Sequence, residues 1–301
     1  MNAASGVHVH YPSPGFMCSA ISWYDYPLRG FRELGIPAHI DPALDLQSRS
    51  ALGFQVTAFD VYVKDRRRRV CFDWCDFDSH HVNLMRQSQG ADLLYFKVMT
   101  RPEMQRLGIR PIGQTVSRMA YLDLLPALRD CVGVEPKRRD VLAVFRTTCY
   151  DLRTRAVEII RAGGWNSLAH VSDYPRRPPA DPAIVGPLLP FKDHLYEQAR
   201  TAVNIALPGV GGDWTWRHVE LMGMGACMIT VEPEYVLPGL PERPYIECNR
   251  DLSDLGDMID ALLTHPAYRR EVAAAGRRYY EAELSPAAMA RRMIEAVRES
   301  L

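Results

Sequence analysis

The sequence predicts an α/β protein of two domains, each with a mainly parallel sheet, and three observations predict it. Apolar runs of strand length alternate with amphipathic stretches along most of the chain, the pattern of βαβ units. The alternation lapses once, over a basic connection carrying Pro136, and then resumes. At 301 residues the chain is long enough for two domains of ordinary size. The expected division is a first domain over 1–135, a second over 140–285, and a last helix, 286–301, that packs back on the first domain. The two domains are expected to face a cleft.

In the first half, "FQVTAFDVYV" (54–63), "RRVCFDW" (68–74) and the buried "ADLLYFKV" (91–98) read as strands. "LLPALRDCVGVEPKRRD" (124–140) loses periodicity and turns polar. In the second half "DVLAVF" (140–145) is a buried strand, and Asp151 is placed to cap a helix ending near Ala162. "SLAHV" (167–171) is a strand, Asp193 is placed to cap "HLYEQAR", and "AVNIAL" (202–207) is a strand. A glycine-rich loop then leads into a helix over 215–224 and the strand "ACMITV" (226–231). Leu255, Met258, Ile259, Leu262 and Leu263 recur at helical spacing. In the last helix Ser285 is the N-cap and Pro286 stands at the first helical position, where its missing N–H costs nothing.

Composition narrows the function. A formal net charge of +0 argues against a general binder of nucleic acid or membrane surfaces, which needs a basic excess. The seven cysteines are odd in number and form no CxxC pair, which predicts reduced thiols in a cytoplasmic protein. The opening "MNAASGVHVHYPSPGF" lacks the layout of a signal peptide, and no apolar run approaches the roughly 20 residues of a membrane span.

The most informative stretch is "NIALPGVGGDWTWRHVELMGMGACMITVE" (204–232), in which strand, glycine loop, helix and strand follow without a gap. In an open parallel sheet ligands bind at the carboxyl ends of strands. Gly209, Gly211 and Gly212 let backbone approach a ligand closely, and the helix start behind them favours an anion. Arg217, in the first turn, adds a charged fork suited to phosphate, and Glu220, one turn on, is within reach of a ribose diol. The plain alternative is a surface pair of Arg217 and Glu220, worth a few tenths of a kcal/mol. His218 reads as a packing residue or as one facing the ligand.

This stretch resembles the donor half of the GT-B glycosyltransferases, a group that includes the exostosin-like and group 1 transferases. Their second domain shows a strand, a glycine loop, an Arg or Lys, then a Glu before a small-residue segment and a further strand. Gly209, Arg217, Glu220 and "LMGMGACMITV" match that order. The tail 251–286 is similar to the segment that precedes their crossing helix, "LLYFK" (93–97) is similar to a strand of some of their first domains, and the resemblance covers about the last 160 residues. It implies that Arg217 meets the donor diphosphate and Glu220 the ribose. Arg146 and Thr147, in "VFRTT", stand where the family also binds phosphate, although Arg146 fits an interdomain salt bridge equally. The chain departs from the pattern at Gly212, where many members carry a second Glu. Asp213 stands beside it as a possible replacement.

"CFDWCDFDSHH" (71–81) raises the question of a metal. Its DxD, Asp76 to Asp78, is a three-letter pattern, and Cys71, Cys75, His80 and His81 lack a second pair at zinc-site spacing. Cys71 and Cys75 read as core residues. The expectation is no metal and no cofactor beyond a nucleotide diphosphate sugar as co-substrate. Asp76, Asp78, His80 and His81 are candidates for a general base toward the acceptor hydroxyl, or simply the start of a helix. "KDRRRR" (64–69) reads as a solvated hairpin turn, with an anionic acceptor as the alternative. "HVHYPSPGF" (8–16) reads as a loop in which the two histidines alternate as on a strand.

The expected function is metal-independent transfer of a sugar from a nucleotide diphosphate sugar to a hydroxyl acceptor. The acceptor is a glycan, a small molecule or, least favoured, modified DNA. The alternatives are a sugar-nucleotide epimerase of the same fold and a non-catalytic nucleotide-sugar-binding partner subunit.

Overall fold

The structure, a computed structural model, describes residues 6–12, 21–44, 56–74, 82–146, 150–172, 181–209, 212, 214–239 and 244–301. The chain divides into two compact units. One comprises residues 1–119, 235–239 and 281–301, the other 120–234 and 240–280.

The first unit is built on a six-stranded sheet of β1 (Val7–Tyr11), β2 (Ala38–Ile40), β3 (Val56–Val63), β4 (Arg66–Asp73), β5 (Leu94–Lys97) and β6 (Ile109–Pro111), in the order β2-β1-β3-β4-β5-β6. β1 and β2 run parallel, as do β4, β5 and β6, but β3 is antiparallel to both of its neighbours. Three of the five ladders are thus parallel, in line with the mainly parallel sheet the sequence suggests, and β3 is the antiparallel exception. The reason is the two-residue turn Lys64–Asp65, which can join only antiparallel strands. Lys64 takes the left-handed φ of 56° that such a turn requires. His8–Tyr11, expected in a loop, lie in β1, and the rest of that stretch from residue 13 lies outside the described residues.

The basic run is turn only at Lys64 and Asp65, because Arg66–Arg69 open β4. Strand alternation sends Arg67 and Arg69 to one face, where the buried Asp60 accepts from Arg69 at 2.7 and 2.8 Å and from Arg67 at 3.4 Å. Arg68 pairs with Asp92 at 3.4 Å and donates to the Ser300 hydroxyl at 3.1 Å, and Arg66 donates to the Leu301 carbonyl. Partners within the unit thus engage all four arginines.

Helices α1 (Ile21–Glu33), α2 (Val82–Gln89) and α3 (Pro102–Gln105) belong to this unit. Cys71 and Tyr95 pack with Val82 and Met85 of α2 and Met104 of α3, which makes Cys71 the core residue expected of it. Beside them Asp73 and Lys97 face one another in register. Tyr95 donates to Asp73 at 2.5 Å, and the Lys97 ammonium stands 3.5 Å from the same oxygen; all three side chains are buried.

The second unit has α4 (Ala120–Gly133), β7 (Arg139–Arg146), α5 (Tyr150–Ala162), β8 (Ser167–Ser172), α6 (Phe191–Ala199), β9 (Thr201–Ile205), α7 (Trp216–Met224), β10 (Met228–Val231), β11 (Ile246–Cys248), α8 (Leu255–Thr264) and α9 (Pro266–Tyr279). Its five strands are all parallel, in the order β11-β10-β9-β7-β8. Ala156, Val157 and Ile160 of α5, Leu255, Ile259 and Leu262 of α8 and apolar residues of the strands form its core. Helix α4 covers much of the stretch expected to be irregular. Its Pro126 removes one internal hydrogen bond, but Tyr121 and Leu128 are buried and hold it. Asp151 and Asp193 lie inside the first turns of α5 and α6 rather than at their caps, where their charge still favours the helix dipole.

The chain ends in α10 (Pro286–Ser300), which belongs to the first unit. The Ser285 hydroxyl accepts from the Ala288 N–H at 3.2 Å and caps the helix. α10 lies against α1 so closely that a side chain at Gly30 would collide with the Pro286 carbonyl. Just ahead of α10, the Tyr26 hydroxyl donates to the Leu284 carbonyl at 2.8 Å.

Candidate functional site

The parallel sheet of the second unit has one switch point. From β7 the chain crosses to β8 on one side, then returns to β9, β10 and β11 on the other. Helices leaving β7 and β9 therefore depart in opposite directions, and in open parallel sheets the carboxyl ends of two such strands are where ligands bind. Arg146 ends β7, residues 206–209 follow β9, and the first turns of α5 and α7 belong to the helices that leave them.

Two guanidinium groups meet there over one aromatic ring. Arg153 of α5 lies 5.5 Å from the Phe145 ring centre and Arg217 of α7 lies 5.2 Å from it. Arg153 is buried and donates to the carbonyls of Arg146 at 2.8 Å and Pro208 at 2.6 Å, tying the ends of β7 and β9 together. Arg217 is partly buried and makes no hydrogen bond or salt bridge with a described residue. Burial first, then the charge of Arg153, pull its pKa down to about 10, against a smaller opposing effect of Glu220. It stays charged at neutral pH. Both arginines stand near helix N-termini, where the dipole disfavours a cation and favours an anion.

The helix carrying Arg217 is tightly fixed. The Thr215 N–H donates to His218 Nδ1 at 3.1 Å, so the proton of the neutral ring sits on Nε2, which donates to the Thr230 hydroxyl at 2.9 Å. Trp214 stacks on the His218 ring with centres 4.4 Å apart. Burial, then Arg217, hold the pKa of His218 down to about 3, so it is a neutral structural link. His194 of α6 is likewise held near 3 by burial, Arg217 and His170. At the other end of α7, Tyr121 donates to the Glu220 carbonyl at 2.6 Å and Arg129 to the Gly223 carbonyl at 2.9 Å. A side chain at Gly223 would collide with the Tyr121 hydroxyl. In the loop before α7, the Gly209 N–H donates to the Gly212 carbonyl at 2.8 Å, and a Cβ on Gly209 would stand 3.0 Å from Thr215 Cγ2.

Of the residues singled out from sequence, Arg146, Gly209, Gly212, Arg217, His218 and Glu220 are described and gather around β7, β9 and α7. Arg146 is exposed, and the Glu220 side chain is buried. Thr147, Gly211, Asp213, Cys75, Asp76, Asp78, His80 and His81 lie outside the described residues. Sequence reasoning missed Arg153, Phe145 and His194. No local motif marks Arg153, because the sheet order alone brings its helix beside α7.

The second unit is thus an α/β body with one switch point in its parallel sheet and two arginines at the strand ends beside it. Residues 169–295 match the profile of a family described as Glycosyl transferase-like. That segment contains β9, the glycine loop, α7, Arg217 and Glu220. Sucrose-phosphate synthase from Thermosynechococcus elongatus resembles the chain at 15% identity and a TM-score of 0.49, over 74% of this chain and 63% of that one. A glycosyltransferase from Rickettsia africae resembles it at 11% identity and a TM-score of 0.43, over 69% of this chain and 63% of that one. The chain thus spans under two thirds of the length of either protein. No curated protein matches it. No helix among the described residues is long and apolar enough to cross a membrane.

Proposed function

We propose that the chain is a glycosyltransferase whose second unit binds a nucleoside diphosphate sugar at the β7–β9 switch point. The observation that supports this most is the pair Arg153 and Arg217 over Phe145. Two cations held together in a partly dry site repel one another, and a diphosphate relieves that repulsion. In this reading Arg217 and Arg146 meet the diphosphate, Arg153 fixes the strand ends and adds its charge, and Glu220 takes the ribose. Thr147, Gly209, Gly211, Gly212 and His218 complete the surroundings.

In the reaction the bond from the anomeric carbon to the diphosphate oxygen breaks as a bond to the acceptor hydroxyl oxygen forms. Negative charge grows on the leaving diphosphate, and the arginines stabilise it without a metal ion. One positioned donor of this kind contributes roughly 3–4 kcal/mol. The hydroxyl proton passes to a base, for which Asp76, Asp78, His80 and His81 are the candidates. Cytoplasmic residence belongs to the same proposal, supported by the free thiols of Cys71, Cys131, Cys227 and Cys248.

The test is release of nucleoside diphosphate from a panel of nucleotide sugars in EDTA, with and without glycan and small-molecule acceptors. Acceptor-dependent release is the expected result. Conversion of the donor sugar without release identifies an epimerase, and binding without turnover a partner subunit. Release only when a divalent cation is restored contradicts the metal-independent mechanism.

A further inference from the structure

The first unit carries a side-chain cluster that the proposed reaction does not use. β1 presents His8 and His10 two residues apart and hence on one face. In β2, His39 lies opposite His10, and in β3, Tyr62 lies opposite His8 and Asp60 opposite His10. The imidazole centres are 5.4 Å apart for His8 and His10, 5.7 Å for His10 and His39, and 6.3 Å for His8 and His39. The ring of His8 lies on Tyr62 at 4.4 Å and 7°. The Nδ1 atom of His10 stands 3.7 Å from a carboxylate oxygen of Asp41. The three histidines line an open hollow of about 910 Å³ with Lys64 and Asp65 at its rim.

We propose that His8, His10 and His39 form a site for a divalent transition cation of the zinc class. Imidazole nitrogens select such ions, whereas magnesium and calcium require oxygen ligands. Where three imidazoles bind zinc tetrahedrally at about 2.0–2.1 Å, the ion lies about 3.2 Å from each ring centre and the centres lie about 5.2 Å apart. The observed separations come within about 1 Å of that figure. In the rotamers of this structure no three His, Cys, Asp or Glu groups among the described residues converge as a ligand set. Closure requires side-chain rotation, chiefly of His8 away from Tyr62, while the backbone register already supplies the spacing. Asp41 stands 3.7 Å from Nδ1 of His10, and a small rotation of either side chain brings it to the outer contact that orients a ligating histidine and leaves Nε2 for the ion. The fourth position stays open to water. The hollow lies at the Lys64–Asp65 end of the β3–β4 hairpin.

The test is calorimetric titration of Zn²⁺ into the untagged, chelator-stripped full chain. A single saturable site of micromolar affinity is expected, and His8→Ala and His39→Ala should each weaken it at least tenfold. His39 is exposed, so its loss leaves the core intact. Co²⁺ should give the intense visible bands of a tetrahedral ion in the wild type and lose them in His39→Ala. Absence of saturable binding overturns the proposal. So does affinity unchanged in both variants, or affinity lost instead on replacing His80 and His81.

Discussion

Arg217 and Arg153 share one ring and one site, yet their substitution should have opposite effects on the free protein. Arg217 has no hydrogen-bond partner among the described residues and is repelled by Arg153. Arg217→Ala should leave the melting temperature unchanged or raise it, and should abolish stabilisation by a nucleoside diphosphate. Arg153→Ala removes donors from the carbonyls of Arg146 and Pro208 and should cost about 1–3 kcal/mol before any ligand is added. Thermal unfolding of the two variants, with and without ligand, separates these roles. In the first unit, Lys97→Ala removes the buried ammonium that stands 3.5 Å from Asp73 and should lower stability, read by denaturant unfolding. Arg217 was legible in the sequence because its context is local: strand, glycine loop and helix are contiguous. Arg153 was not, because only the sheet order brings the helix after β7 beside the helix after β9.

Helix α7 is the element on which the site depends, and it is fixed at both ends. Thr215 and His218 form a reciprocal cap, and Gly225 ends the helix at a left-handed φ of 76°. Above pH about 6.5, His218 is neutral in both the folded and unfolded chain and adds no pH dependence. As pH falls below that value, the unfolded chain takes up a proton that the fold refuses until about pH 3. Stability should therefore fall on acidification, by at most about 1.4 kcal/mol per pH unit for this residue. Denaturant unfolding at pH 7 and pH 5.5 should show a shallower loss in His218→Gln than in the wild type, and equal losses would contradict the assignment. The helix itself was legible from its flanking strands. Helix α4 was not, because Pro126 and the charged residues around it conceal an apolar face that only Tyr121 and Leu128 complete.

At the scale of the whole molecule, the two units differ in how far sequence foretells them. The second is a run of βαβ units, so alternation of apolar strands and helices leads directly to its parallel sheet. In the first, β3 is inserted between β1 and β4, and β1 itself is five residues long. The place of β3 leaves no periodic signal, the alternation of β1 is too short to stand out from a loop, and the arginines at the start of β4 look like loop until their partners Asp60, Asp92, Ser300 and Leu301 are in place. The central claim concerns the second unit: that the β7–β9 switch point holds a donor diphosphate on its arginines. The most direct measurement is calorimetric titration of nucleoside diphosphates, in EDTA, into the wild type and Arg217→Ala. The account predicts metal-independent binding of one nucleotide family by the wild type and affinity at least tenfold weaker in the variant. Equal affinity in the two proteins would contradict it.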